Sequence, residues 1–222
     1  MPLPSLTQNI QDSLRALKHD KWGWVIYRCT YGDDEAWNRF KQIINQRSRK
    51  IIAESDTSEA ADSLEWTFVE DRAALDGASR DQLRARFKTW AADAVRTEQP
   101  RADDHGTFGI PRYSFFIQVD HSALESVIDE ALQTSEIQDM LGEGYVNFVD
   151  ANWMPLSERS PADEGGECDE LHEPIDGCRE ENVGWMKMAS FTIVGPDFYD
   201  TMSGFPDVWY SFYQRPPETV IY

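Results

Sequence analysis

Cys168, His172 and Cys178 fall within one acidic stretch of the chain, four and then six residues apart. Thiolate and imidazole are ligands that zinc takes, but a zinc site uses four ligands and usually a Cys pair two to four residues apart. Neither condition is met within this stretch, although Asp169 or Glu173 could add an oxygen ligand. The two cysteines could instead close a disulfide under oxidation. The Asp and Gly spacing of an EF-hand loop is missing. No metal or other cofactor is expected.

Other catalytic signatures are also missing. There is no G-x-S-x-G elbow, and Gly142-Glu143-Gly144 reads as a turn before a strand rather than a phosphate cradle. His121 follows Asp120 where a strand meets a helix, a common place for a catalytic group and equally an ordinary helix start. His105 and His19 read as solvated. The remaining lead is charge inside apolar strands, because a buried charge must be paired or functional. Arg28 shares a strand face with Trp22, Trp24 and Ile26, and Lys187 shares one with Trp185, Ala189 and Phe191. With Glu65, Asn147 and Asp150 as partners, a sheet joining them would build a polar site walled by aromatics. The candidate catalytic residues are therefore Arg28, His121, Asp150 and Lys187. The competing reading makes Arg28 a structural bridge at the end of the sheet.

Positioning such residues takes strands and helices, and their signals are clear along the chain. Leu6, Ile10, Leu14 and Leu17 recur at helical spacing after a Ser5–Gln8 capping box. Trp22 to Tyr31 is the strongest strand, and Asp33 or Asp34 caps a helix carrying Trp37, Phe40, Ile44 and Ile51. Leu64 to Val69 reads as a second strand. A Ser79–Gln82 capping box then opens a helix with Leu83, Phe87, Trp90, Ala91 and Ala94. Arg112 to Asp120 is a third strand, Ser122–Glu125 caps a further helix, and Tyr145 to Val149 is a fourth strand. Gly184 to Val194 reads as a long strand, Pro196 to Met202 as a helical turn and Val208 to Tyr213 as a last strand. Arg215-Pro216-Pro217 stops ladder pairing there.

This order predicts one α+β domain over 1–222. Its core would be ferredoxin-like (split β-α-β), with an inserted helix and extra C-terminal strands. A dimeric α/β barrel is the runner-up. The run Trp209, Tyr210, Phe212, Tyr213 reads as core on an edge strand, with a stacking or peptide groove as the alternative.

Charge narrows the partners. Lys and Arg number 21 against 40 Asp and Glu, a formal balance of −19. Such a chain repels polyanions, so neither nucleic acid nor an anionic membrane is expected, and a basic protein partner fits better. Residues 157–181 hold ten acidic side chains against Arg159 and Arg179, and should form an exposed, partly disordered loop. No run of about 18–20 apolar residues could span a membrane. No secretory signal is visible and the three cysteines are an odd count. A cytoplasmic location, with a nuclear one possible, follows, and so does a monomer or homodimer.

The segments WGWVIYRCTYGDDEAW (22–37), LEWTFVEDR (64–72), GYVNFVDANW (144–153), VGWMK (183–187), GPDFY (195–199) and WYSFYQRPPE (209–218) resemble a family of uncharacterised fungal proteins. The resemblance spans most of the chain and includes an acidic insert of variable length. It implies a fungal protein with one continuous domain, but no activity or site residue. Two functions are expected: a non-catalytic interaction or regulatory protein, or a small enzyme of dimeric α/β-barrel type acting on an aromatic or polyketide-like molecule.

Overall fold

The computed structural model describes residues 6–54, 58–107, 109–133, 144–159, 172–203 and 207–221. Their helices are α1 (Leu6–Leu17), α2 (Asp34–Ala53), α3 (Arg72–Leu75), α4 (Arg80–Glu98), α5 (Pro111–Ser114), α6 (His121–Gln133), α7 (Ser190–Val194), α8 (Pro196–Thr201) and α9 (Val208–Phe212). The strands are β1 (Val25–Arg28), β2 (Thr67–Val69), β3 (Phe115–Val119), β4 (Tyr145–Asp150), β5 (Trp185–Ala189) and β6 (Thr219–Val220). They form one mixed α/β sheet in the order β2-β1-β3-β4-β5-β6.

The pairing does not show the split β-α-β topology. β1 has parallel neighbours on both sides, β2 and β3, whereas β4 is antiparallel to β3 and β5. Parallel crossovers are nearly always right-handed, so a chain that reverses its direction across the sheet must place its next helix on the opposite face. That is what α2 and α4 do. Trp37, Phe40 and Ile44 of α2 join the core built on Trp24, Ile26, Ile117 and Phe148. Leu83, Phe87 and Ala91 of α4 join the core on Val25, Tyr27, Phe116 and Val149. The α4 helix, expected as an insertion in a ferredoxin-like core, is instead the crossover between β2 and β3.

Five expected strands are shortened or replaced, the first two keeping only Val25–Arg28 of Trp22–Tyr31 and Thr67–Val69 of Leu64–Val69. Residues 111–114 form a helical turn, with Pro at its first position, before β3 starts. The strand from Gly184 stops at Ala189 and continues as α7. Val208 to Phe212 is helical because Trp209, Phe212 and Tyr213 face the core while Tyr210 is exposed, a helical rather than an alternating pattern. Pairing resumes beyond the prolines, where β6 runs parallel to β5. Asp33 caps α2 and the Ser79–Gln82 box caps α4, as expected. Asp120, not Ser122, caps α6, through an Ala123 N–H bond of 2.9 Å. Ser5 of the first capping box lies outside the described residues.

One fully buried cation ties these parts together. Arg112 donates to both oxygens of Glu98 at 2.8 and 2.9 Å, and to Thr67 Oγ1 at 2.8 Å. It also donates to the carbonyls of Gly23 and Glu65 at 3.2 and 3.0 Å. Gly23 has φ +112, and a Cβ there would lie 2.5 Å from the Glu65 carbonyl oxygen, so only glycine lets these strands approach. Burial alone would push Glu98 up, but its hydrogen bonds from Arg112 and the guanidinium charge outweigh that and hold its carboxyl below the usual range. Replacing Arg112 with Met strands a buried carboxylate and should cost about 3–5 kcal/mol in urea unfolding at neutral pH. Because the folded value of Glu98 is depressed, its contribution is full above the unfolded carboxylate value and fades as pH falls through the folded one. Glu98→Gln should therefore flatten the acid side of the stability profile.

Candidate functional site

The reversal between β2 and β3 makes β1 and β3 a topological switch point. In open α/β sheets, ligands usually enter the crevice outside the carboxyl ends of such strands. Arg28, Cys29, Asp120 and His121 all reach this edge, so two of the four candidates share it. The protein fills the crevice from within. Arg28 is buried and donates to the carbonyls of Thr30 and Asp33 at 2.8 and 3.3 Å, and it pairs with Asp34 at 2.5 Å. Its guanidinium lies 4.3 Å from the Tyr31 ring centre and 3.5 Å from Glu70. It locks the turn from β1 into α2, in keeping with the structural-bridge reading.

Cys29 is buried beside it. The Gly77 N–H donates to its carbonyl at 3.1 Å, and Gln118 reaches the neighbouring Ala78 carbonyl at 3.3 Å. Burial pushes the thiol up to about 12, with Asp120 adding to the effect. His121 points outward, largely exposed, and meets Glu125 at 3.2 Å one helical turn on.

Arg28 and Lys187 lie on opposite faces of the sheet, which separates the expected polar site. Lys187 is half-buried on the α4 face, opposite Asn147, with its amine 4.0 Å from the Tyr145 ring centre. Asn147 is buried and donates to Asp120 at 2.8 Å. The structure thus assembles a row of Gln118, Asn147 and Lys187 across β3, β4 and β5, without Arg28.

Asp150 sits at the opposite edge, beside Phe115 at the start of β3. Its carboxylate accepts from Asn152 N–H at 2.8 Å, and burial pushes its pKa above the ordinary aspartate value. Its carbonyl accepts from Arg84, which also reaches the Gly184 carbonyl and stacks 4.8 Å from the Trp153 ring centre. Gly184 has φ +73 and any Cβ would fall 2.3 Å from Trp153, so this packing requires glycine.

A cleft of about 1090 Å³ opens here, lined by Arg80, Arg84, Lys88, Trp153, Asp176 and Cys178 among others. Arg80 lies 3.5 Å from the centre of the Trp185 ring and pairs with Asp176 at 2.7 Å. Cys178 and Ile175 close a short hairpin whose two turn residues, Asp176 and Gly177, both have positive φ, as a two-residue I′ turn needs. His172 pairs with Glu181 at 2.8 Å. Cys168 lies outside the described residues, as does most of the acidic segment, and among the described residues no group of three metal-ligating side chains converges.

Sequence reasoning missed Arg112, Arg80, Arg84 and His19. Arg112 falls in an expected strand but lies in the α5 turn, and its sequence neighbours give no sign of a carboxylate. Arg84 sits next to the apolar stripe of α4, and that spacing was the available signal. His19 is buried rather than solvated, because the helix before it turns it inward.

No protein-family model, curated protein or solved structure matches this chain.

Two outcomes test this geometry. In a Cys168→Ser background, iodoacetamide at pH 8 should label half-buried Cys178 in the native protein and Cys29 only on unfolding, read by mass spectrometry of peptides. Asp150→Asn keeps an oxygen for the Asn152 N–H and removes a charge that burial disfavours. Since the folded pKa is raised, stability drops as pH rises through that window, and the variant should unfold at higher urea concentration at pH 7.

Proposed function

We propose that this chain is a non-catalytic interaction protein that recognises a basic partner through acidic surface. The observation that carries the reading is the carboxyl edge of the parallel strands. Where an α/β enzyme would hold its ligand, Arg28 bonds to Thr30 and Asp34, the Gly77 N–H to the Cys29 carbonyl, and Gln118 to the Ala78 carbonyl. Around that filled crevice, Asp33, Asp34, Glu35, Glu70, Asp71 and Asp76 are exposed on adjoining loops. Two nearby cations are engaged, Arg28 with Asp34 and Lys41 with Glu70, while Arg72 stands exposed among the acids. The acidic 157–181 stretch adds charge of the same sign. Long-range attraction of this kind speeds encounter with a basic surface and weakens with salt.

A second reading, a small enzyme acting on an aromatic or polyketide-like molecule, draws on Lys187, which makes no ion pair with a described residue and lies over Tyr145. It has less support, because a dimeric α/β barrel needs a bare sheet face and here both faces carry helices.

Glu35→Lys with Asp76→Lys reverses two exposed charges that hold no structural ion pair among those described. Affinity purification from cell extract should recover a basic partner with the parent protein, less of it at raised salt, and less with the double variant. Recovery of nothing above background at low and moderate salt would count against an interaction role. Turnover lost on Lys187→Ala would favour the enzyme.

A further inference from the structure

Beyond this edge, the chain contains a second recess of different character. It lies between α1 and residues 103–106 and 109–111, and has a volume of about 670 Å³. Small-molecule sites commonly span about 300–1,000 Å³, with apolar walls and a few convergent polar groups. Ile10, Leu14, Leu17, Ile110, Pro111 and Tyr199 supply the apolar walls. Leu17 is 47% exposed and marks the open side. Among the described residues, the charged side chains lining the recess are Asp103 and Asp104, with His19, and neither Lys nor Arg lines it.

We propose that this recess binds a small amphipathic amine, its hydrocarbon part against α1 and Pro111 and its ammonium among Asp103, Asp104 and His19. His19 points to a ligand independently of the acids. It is only 7% exposed, yet its imidazole makes no hydrogen bond with any described residue and meets only the edge of Tyr113, at 6.5 Å between ring centres. The imidazole lines the recess, so a ligand donor entering it can reach a ring nitrogen that no described residue occupies. Burial favours the neutral ring, against the pull of Asp20, and a neutral ring has one nitrogen free to accept. An ammonium has three N–H donors to distribute between that nitrogen and the carboxylates.

Both carboxylates keep acceptor capacity. Asp103 accepts from Lys18 on both oxygens, at 2.8 and 2.6 Å, and is largely exposed, so a ligand ammonium would share or displace that lysine. Asp104 accepts from the Gly106 N–H at 2.9 Å. A fatty acid of the same size would bring its carboxylate against both aspartates in a chain of net charge −19. An uncharged alcohol would forgo the ion pairing. The chemistry selects the amine.

Calorimetric titration with n-octylamine, octanoate and octanol separates these ligands. Octylamine should bind one to one and saturate, octanol more weakly, and octanoate least. Asp103→Asn should weaken octylamine by about three- to fivefold, the scale of an exposed ion pair. His19→Phe, which keeps the ring volume, should weaken it by about tenfold or more. Circular dichroism checks that each variant is folded. Should His19→Phe not fold, Asp103→Asn and the amine-over-carboxylate preference still decide the matter. Octanoate binding as tightly as octylamine, no saturation by about 5 mM amine, or two folded variants with unchanged affinity would each overturn the proposal. A lysine-rich peptide that binds here while octylamine does not would overturn it in favour of a protein ligand. Glu35→Lys with Asp76→Lys should leave octylamine binding as it is, which separates this recess from the acidic edge.

Discussion

Everything on the amino side of the sheet depends on satisfying one guanidinium that has no access to water. Arg112 has five N–H donors, and Glu98, Thr67, Gly23 and Glu65 accept from all three of its nitrogens. These acceptors come from the residue before Trp24, the approach to β2, the first residue of β2 and the last turn of α4. The bond set therefore fixes where β1 and β2 begin and where α4 must end. A lysine could not replace it, since an ammonium has three donors and no planar fork. Tyr113 and Gln99 extend the network, with Gln99 donating to the Tyr113 hydroxyl at 2.8 Å and that hydroxyl to Glu98 at 3.1 Å. Tyr113, next in sequence to Arg112, thus holds the same carboxylate from another side.

Charge is arranged differently at the two ends of the sheet. At the amino end, a buried cation is enclosed by carbonyls and one carboxylate. At the carboxyl end, Arg28 is buried at the base while its acidic partners Asp34 and Glu70 extend toward solvent. The first arrangement consumes its charge internally. The second leaves excess negative charge outside, and the proposed partner surface follows from that difference.

The existence of most elements was legible, because periodicity and caps are local. Trp24 and Ile26 against Val25 and Tyr27 form the two faces of a strand buried on both sides, and that alternation is visible in WGWVIY. The Asp33 and Ser79 caps follow from single residues and their spacing. Topology was less legible, since nothing in a strand's own residues states which neighbour it takes. The face covered by α4 decided it, and that follows only when the crossover hand is applied to the whole order. Trp209, Phe212 and Tyr213 misled for a related reason, because over five residues aromatic spacing fits a strand or a helix. Of the candidate site residues, Arg28 and His121 share an edge as β-α junctions should. Lys187 and Asp150 could not be placed without knowing that β4 runs backwards.

The outermost strands have a consequence for how such a protein behaves in a crowded solution. β2 has three residues and β6 two, and both are the ends of an otherwise well-paired sheet. An open strand edge is a template on which another chain can add, and a short one provides few rungs. Phe and Trp side chains are plentiful here, so a long exposed border would invite stacking of copies into fibres. Each border of the sheet therefore offers a foreign strand few rungs to pair with, which works against edge-to-edge addition of copies.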